Sequence, residues 1–358
     1  MKASSYRIKP QDRLLYLRLS AIGDVINAIP GLVALRRSYP DNYIAWCVED
    51  LSAELLQGHP LLDDLLVIKQ EWLRHPLKAR NLKELRDFIA HLRSQKFTVA
   101  IDAHNLFKSG LFSLLSGAKV RIGANLTHNY EGHKFLLNVL AGPAAAKDAP
   151  SGPAAVRRAR FLAYIGVDLT HLQYVLPPFT TESARIDAIL SQAGYAGNGP
   201  IVVLNPCASW PARQWPGNYY VQLGLLLLKN PGAYLVWTGS RREMPYEKQF
   251  ADQVPSLNLA GRLNLRELAA LLQKAGLIVT GDTGPMHLGA AMGTYVVALM
   301  GPTDPLVHGP FTEKSLILSS EMPCRYCKRK ICGDMRCMSS LSPAYIAGKI
   351  SGLPILCK

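Results

Sequence analysis

Residues 14-LLYLRLSAIGDVINAIP-30 set an apolar run against a turn of small residues, with one acid, Asp24, just past a glycine. The run 14-LLYLRL-19 reads as a buried strand. Residues 25-VINAIPGLVALRRSY-39 space their apolar side chains as a helix does, with Pro30 marking a kink or a late start. Moving outward, 43-YIAWCV-48, 97-FTVAID-102 and 119-KVRIG-123 read as further strands. Between them, 81-NLKELRDFIAHLRSQ-95 is an amphipathic helix that Asn81 is expected to cap, with Glu84 three residues on. Residues 106-LFKSGLFSLLSG-117 form another helix, ended by Gly117. This alternation implies a parallel sheet with helices on both faces.

Residues 141–154 are small and turn-rich and read as a loop, and helix 156-VRRARFLAYIG-166 follows. The proline-rich 173-QYVLPPFT-180 reads as a linker. The alternation then restarts, with strands at 201–206, 233–239, 277–282 and 295–301 and helices at 217–229, 246–254, 265–275 and 285–293. The reading is α/β, with two doubly wound, Rossmann-like domains. Open α/β sheets bind ligands beyond the carboxyl ends of their strands. The unusual residues fall there in both halves: Ser20 to Asp24, Asp102 to Lys108, Asn205 to Arg213, Gly239 to Glu243 and Gly281 to His287.

At 358 residues, 49% hydrophobic and 18% charged, the chain is long enough for two packed domains. No window reaches the roughly 18 uncharged apolar residues that a membrane helix requires, so a cytoplasmic protein is expected. The formal charge of +14 draws polyanions: nucleic acid, anionic membrane or phosphorylated substrate. The basic residues are dispersed, without a basic tail, which disfavours nucleic acid. Seven cysteines, four of them within 324-CRYCKRKICGDMRC-337, raise a metal question in a chain of this size.

Four stretches carry candidate chemistry. In 280-TGDTGPMHLGAAMG-293, Asp282 and Thr283 can cap a helix that Pro285 and Gly284 open, leaving N–H groups for a diphosphate. His287 could add a donor there, or be a buried core histidine. In 205-NPCASWPARQWPGNYY-220, Ser209 and Arg213 lie in a loop where a cation could offset phosphate charge or simply face solvent. In 237-WTGSRREMPYEKQF-250, Glu243 could accept from ribose hydroxyls or cap a helix. In 101-IDAHNLFKSG-110, Asn105 follows a strand and Lys108 sits in a first helical turn, where the helix dipole disfavours it and an anionic ligand would favour it. Asp24 itself is either a helix cap or a carboxylate placed as a general base.

The segments 17-LRLSAIGDVINAIPGLVALRRSYP-40 and 279-VTGDTGPMHLGAAMGTYVVALMGPTDP-305, with the order of motifs between them, resemble the lipopolysaccharide heptosyltransferases of glycosyltransferase family 9 over nearly the whole chain. The resemblance implies the GT-B fold, in which two Rossmann-like domains face a central cleft. It places an acceptor-binding domain at 1–177, an ADP-sugar domain at 178–342 and a C-terminal helix, 343–358, packed back on the first domain. It implies inverting transfer of L-glycero-D-manno-heptose from ADP-heptose to the lipid A–Kdo inner core, at the cytoplasmic face of the inner membrane, without a catalytic cofactor. Asp24 matches the family's base. Asp282, Thr283, Gly284 and His287 match its phosphate motif, Ser209 and Arg213 stand in the phosphate-contacting loop, and Glu243 matches the ribose acid. Lys108, with Asn105 and Arg121, falls in the acceptor-binding region.

Three departures accompany the match. Arg213 replaces the family's commoner lysine, keeping charge but changing geometry. The chain has SGPAA where relatives often carry a histidine, so that acceptor contact is expected to be either missing or supplied by His128 or His133. The spacing of Cys324, Cys327, Cys332 and Cys337 could hold zinc or iron, and one branch of the family that glycosylates autotransporter proteins has a four-cysteine iron site. Two other readings stand beside this one. One is transfer of another sugar, or transfer to protein. The other is a basic metal-cluster protein that binds nucleic acid, against which the intact Asp24 and D-T-G-x-x-H pair argues.

Overall fold

The computed structural model describes residues 6–75, 78–126, 130–145, 152–229 and 232–355. The chain forms two compact units, Met1–Pro178 and Phe179–Lys358. The first carries strands β1 (Arg13–Leu17), β2 (Tyr43–Glu49), β3 (Asp64–Ile68), β4 (Val99–Asp102), β5 (Val120–Leu126) and β6 (Val139–Ala145), all parallel, in the order β3-β2-β1-β4-β5-β6. The second carries β7 (Ile201–Asn205), β8 (Tyr234–Trp237), β9 (Leu257–Asn258), β10 (Leu277–Gly281), β11 (Tyr295–Met300) and β12 (Ser315–Ser319), also parallel, in the order β12-β11-β10-β7-β8-β9. Both orders are the doubly wound arrangement. The strand order reverses between β1 and β4 in one unit and between β7 and β10 in the other, and a crevice opens at such a point.

The continuous apolar strands follow from burial on both faces. Along β1, Leu14 and Tyr16 enter one core while Leu15 and Leu17 enter the other. Ile44, Trp46 and Val48 of β2 join the first core, and Ala45 and Cys47 the second. Tyr16 and Trp46 meet edge to face at 4.9 Å.

Several local expectations are revised. Residues 25–39 form two helices, Ile22–Ile26 and Ile29–Ser38, and Pro30 occupies the first turn of the second, where its missing N–H costs nothing. Asn81 does not cap its helix, which runs Ala79–Ser94. Its amide instead donates to the Glu71 and His75 carbonyls, tying the helix to the preceding one. The expected helix 156–166 is an α-helix, Ala154–Ala159, followed by a 3-10 turn, Arg160–Ile165. Strand β6 occupies the start of the segment read as a loop. The C-terminal helix, Pro343–Ser351, packs within the second unit. Its Ile346, Ala347 and Ile350 share a core with Val221, Leu223 and Leu227 of helix Gly217–Leu227.

Trp215 anchors that arrangement: it is 1% exposed and its indole N–H donates to the Leu341 carbonyl at 2.9 Å. Trp215→Ala is expected to cost about 3–5 kcal/mol in denaturant unfolding, since it opens a cavity and orphans an acceptor. A loss below ~1 kcal/mol would contradict this packing.

Candidate active site

In the first unit, the chain leaves β1 at Arg18 and enters helix Ile22–Ile26 through small residues. Ala21 is the N-cap, and no side chain caps this helix. Asp24 is therefore not the cap. It lies in the first turn and its carboxylate is held by two arginines. Arg18 Nη2 approaches Oδ2 at 2.5 Å, and Arg158, from helix Ala154–Ala159, bonds Oδ1. Arg18 is 4% exposed, and its other terminal nitrogen donates to the Ala103 carbonyl beyond β4 at 3.1 Å. The Asp24 side chain stays 37% exposed, so a substrate hydroxyl can reach it.

The electrostatics follow from this geometry. Burial pushes the Asp24 carboxyl upward, but Arg18, Arg158 and the bond from Arg158 outweigh it and hold it well below the usual carboxylate range. Burial, then the neighbouring Arg158, lowers Arg18 to about 10, which leaves it charged near neutrality. Asp24 is thus an ionised carboxylate at every working pH.

The turn after β4 supplies the facing wall. Asp102, fully buried, accepts from the backbone N–H groups of His104 and Asn105 (2.9 Å each) and from the Ser109 hydroxyl (3.0 Å). His104 is 5% exposed, and the Leu19 N–H donates to its Nδ1 at 3.4 Å. Burial, then Arg18 and Lys108, pushes the His104 imidazole well below its ordinary value, so it is neutral. Lys108 donates to Ser20 Oγ at 2.8 Å and pairs with the buried Glu49 at 2.6 Å, which fixes its ammonium beside the Ser20–Asp24 turn.

The other acceptor candidates are engaged in the fold. Asn105 takes a left-handed backbone (φ 58°), and its Oδ1 accepts from the Ala124 N–H at 2.8 Å. Arg121 donates to the Leu136 and Ala118 carbonyls at 2.8 and 3.1 Å. His133 is fully buried and is not presented to an acceptor, while His128 lies outside the described residues.

In the second unit, β10 leads into helix Gly284–Met292, with Thr283 as N-cap and Pro285 in the first turn. No side chain caps it. The Thr283 hydroxyl bonds Thr280 instead (3.0 Å), which bonds Asn205 Oδ1 (3.2 Å), whose amide donates to the Thr238 carbonyl (2.8 Å). This chain locks together the ends of β7, β8 and β10 and leaves the helix amides for an anion. Arg213 sits beside them. Its Nη2 is 3.2 Å from Asp282 Oδ2, and its guanidinium stacks 3.7 Å over the Trp210 ring. Gly281 is needed here, because a Cβ would meet the Arg213 carbonyl oxygen at 2.8 Å. His287 is buried at 7% exposure in the first turn, and Ser209 is exposed in the loop. Glu243 accepts from the Ser240 N–H at 2.9 Å.

Cys324, Cys327 and Cys332 lie in one loop and Cys337 is buried in helix Arg336–Ser339; among the described residues no three of these cysteines present sulfurs within 4.8 Å of one another. Sequence reading passed over Arg18, Arg158, Glu49 and His104 as site residues. A basic residue interrupting the apolar run 14-LLYLRL-19 was the signal for Arg18.

Two tandem Rossmann-like units, each a parallel six-stranded sheet whose strand order reverses once, are the elements of the GT-B architecture. Residues 85–336 match the family described as "Glycosyltransferase family 9 (heptosyltransferase)", and the chain belongs to that family. It is 26% identical over 321 residues to lipopolysaccharide heptosyltransferase 1 of Pseudomonas aeruginosa, covering 89% of this chain and 87% of that one. Among solved structures, E. coli ADP-heptose LPS heptosyltransferase II superposes with a TM-score of 0.75 at 22% identity, covering 96% of this chain and 98% of that chain. E. coli heptosyltransferase WaaC with ADP gives 0.74 at 21% identity, covering 95% and 99%. These two likenesses carry the fold.

Burial raises the Asp102 carboxyl to about 6, against the backbone and Ser109 bonds that lower it. A raised folded-state value stabilises at low pH, and the gain is lost as pH rises through about 6. The stability difference between wild type and Asp102→Asn is therefore expected to shrink from pH ~4 to ~6. A difference that stays flat or grows over that window would contradict the assignment.

Proposed function

We propose that the protein is an inverting transferase that moves L-glycero-D-manno-heptose from ADP-heptose to the inner core of lipopolysaccharide. The observation that carries the reading is the exposed, ionised Asp24 carboxylate held at the β1/β4 switch point. Family membership and the lipopolysaccharide heptosyltransferase relatives support the donor and the acceptor class.

In this reading the donor diphosphate lies on the amides opening helix Gly284–Met292, with Asp282, Thr283, Gly284 and His287 around it and Arg213 offsetting its charge. Glu243 accepts from the adenosine ribose, and Ser209 borders the phosphates. Asp24 takes the proton of an acceptor hydroxyl as that oxygen attacks the anomeric carbon. The bond from the anomeric carbon to the phosphate oxygen breaks, ADP leaves with the electron pair, and the anomeric configuration inverts. Asp24 ends protonated and returns the proton to solvent. The two arginines lower the carboxylate's basicity, yet they keep it ionised and aimed. The chemistry draws on no cofactor.

Lys108 is the cation for an anionic acceptor such as the lipid A–Kdo core, and Asn105 and Arg121 shape the wall behind it. No helix among the described residues is long and apolar enough to cross a membrane. The charge of +14 suits peripheral work at an anionic cytoplasmic face of the inner membrane.

The test is ADP release from ADP-heptose with a heptose-deficient core acceptor. Asp24→Asn is expected to lower kcat by about 10²–10⁴ with donor binding retained. Equal turnover by both proteins would remove Asp24 as base, and failure of wild type to bind ADP-heptose would overturn the donor. Arg213→Met should weaken kcat/KM by roughly 10²-fold, as loss of a charge-stabilising donor does.

A further inference from the structure

Beyond the β7 end lies a group of three side chains of which the proposed transfer uses only Glu243. Cys207, Glu243 and Glu247 present one sulfur and two carboxylate oxygens that all lie within 4.8 Å of one another. They come from different places in the fold: Cys207 from the loop after β7, Glu243 from the residue preceding helix Met244–Ala251, and Glu247 from that helix's first turn.

Glu247 is the telling member. It is fully buried, and neither carboxylate oxygen has a hydrogen-bond partner of ordinary geometry; the Cys207 thiol is the polar group lying against it. A buried carboxyl without partners is costly. The fold nevertheless makes room for it: Gly239 packs directly on the carboxylate, and any side chain there would displace it. Apolar filling would have been cheaper than an acid.

We propose that Cys207, Glu243 and Glu247 form a binding site for a divalent transition-metal ion of the zinc class. One thiolate and two carboxylates are three ligands of the borderline kind that zinc accepts, with a fourth position left for water or another oxygen ligand. Burial, then Glu243, raises the Glu247 carboxyl to about 8, and burial, then Glu247 and Glu243, raises the Cys207 thiol. Binding of one M²⁺ forms the sulfur and oxygen bonds and releases the Cys207 and Glu247 protons to solvent, with no change in oxidation state. The site stands independently of the donor assignment. Its one link to that reading is Glu243, for which metal and ribose would compete.

The test uses Co²⁺ as a spectroscopic stand-in for zinc, added to the reduced full chain. The exposed and half-exposed cysteines are first removed as Cys324→Ser/Cys327→Ser/Cys332→Ser, so that their loop does not contribute thiolates. The expected result is one equivalent of Co²⁺ with a thiolate-to-metal charge-transfer band. Adding Cys207→Ser should abolish the band. Adding Glu247→Gln, which keeps the volume, should weaken binding by at least about tenfold. Glu243→Gln, at a half-exposed position that does not endanger the core, should also weaken it. No thiolate band in the three-serine protein would overturn the site, as would a band that survives Cys207→Ser or affinities unchanged by both glutamine variants. Circular dichroism of each variant separates lost ligation from lost folding.

Discussion

The ion triad of Arg18, Asp24 and Arg158 is the constraint on which the first unit's chemistry depends. Arg18 is buried where β1 ends, and one guanidinium bridges two structures: the carboxylate of Asp24 and the carbonyl of Ala103 beyond β4. The two strands that flank the reversal of sheet order are therefore tied through the same side chain that fixes the acid. Arg158 closes the arrangement from a helix 134 residues farther along the chain. A buried guanidinium demands a paired anion, and Asp24 supplies it. The acid cannot be removed without taking from Arg18 its carboxylate partner, so placement of Asp24 and integrity of the switch point are one problem.

The two units solve the same topological problem with opposite electrostatics. Each opens a crevice where its strand order reverses. In the first, cations gather around a carboxylate and a neutral His104. In the second, a hydroxyl and amide chain from Thr283 to Thr238 satisfies local polar groups and leaves the helix N-terminus for an anion. Arg213 is tethered by Asp282 and by the Trp210 ring, so its charge is positioned before any ligand arrives. Preorganisation of this kind is what stabilising a departing diphosphate requires.

How much of this was legible in the sequence depended on burial. The central strands of both sheets, β1, β2, β4, β7, β8, β10 and β11, are apolar runs that could be read directly, because both of their faces are covered. The unread strands, β3, β6, β9 and β12, are the four sheet edges; partial burial weakens the apolar signal in β3, β9 and β12, and a glycine and a proline interrupt β6. Asp24, the D-T-G-x-x-H segment and Lys108 stood out because polar residues at strand ends are conspicuous. Their partners did not, since Arg158 and Glu49 take their meaning from contacts between residues distant in sequence. Asn105 and Arg121 were legible as polar but not as structural, because accepting from Ala124 or donating to Leu136 appears only once β5 is in place. The C-terminal helix was readable as a helix, but its partner was not, since many apolar faces could have received it.

The most direct measurement of the central claim is the pH dependence of kcat/KM for ADP-heptose and core acceptor, compared between wild type and Arg158→Gln. If Asp24 is the base and the arginines set its ionisation, wild type shows no acid limb above pH ~5, and the variant shows one displaced upward because a carboxylate with one fewer cation holds its proton more tightly. Coincident profiles for the two proteins, with the variant folded and binding donor, would contradict the account.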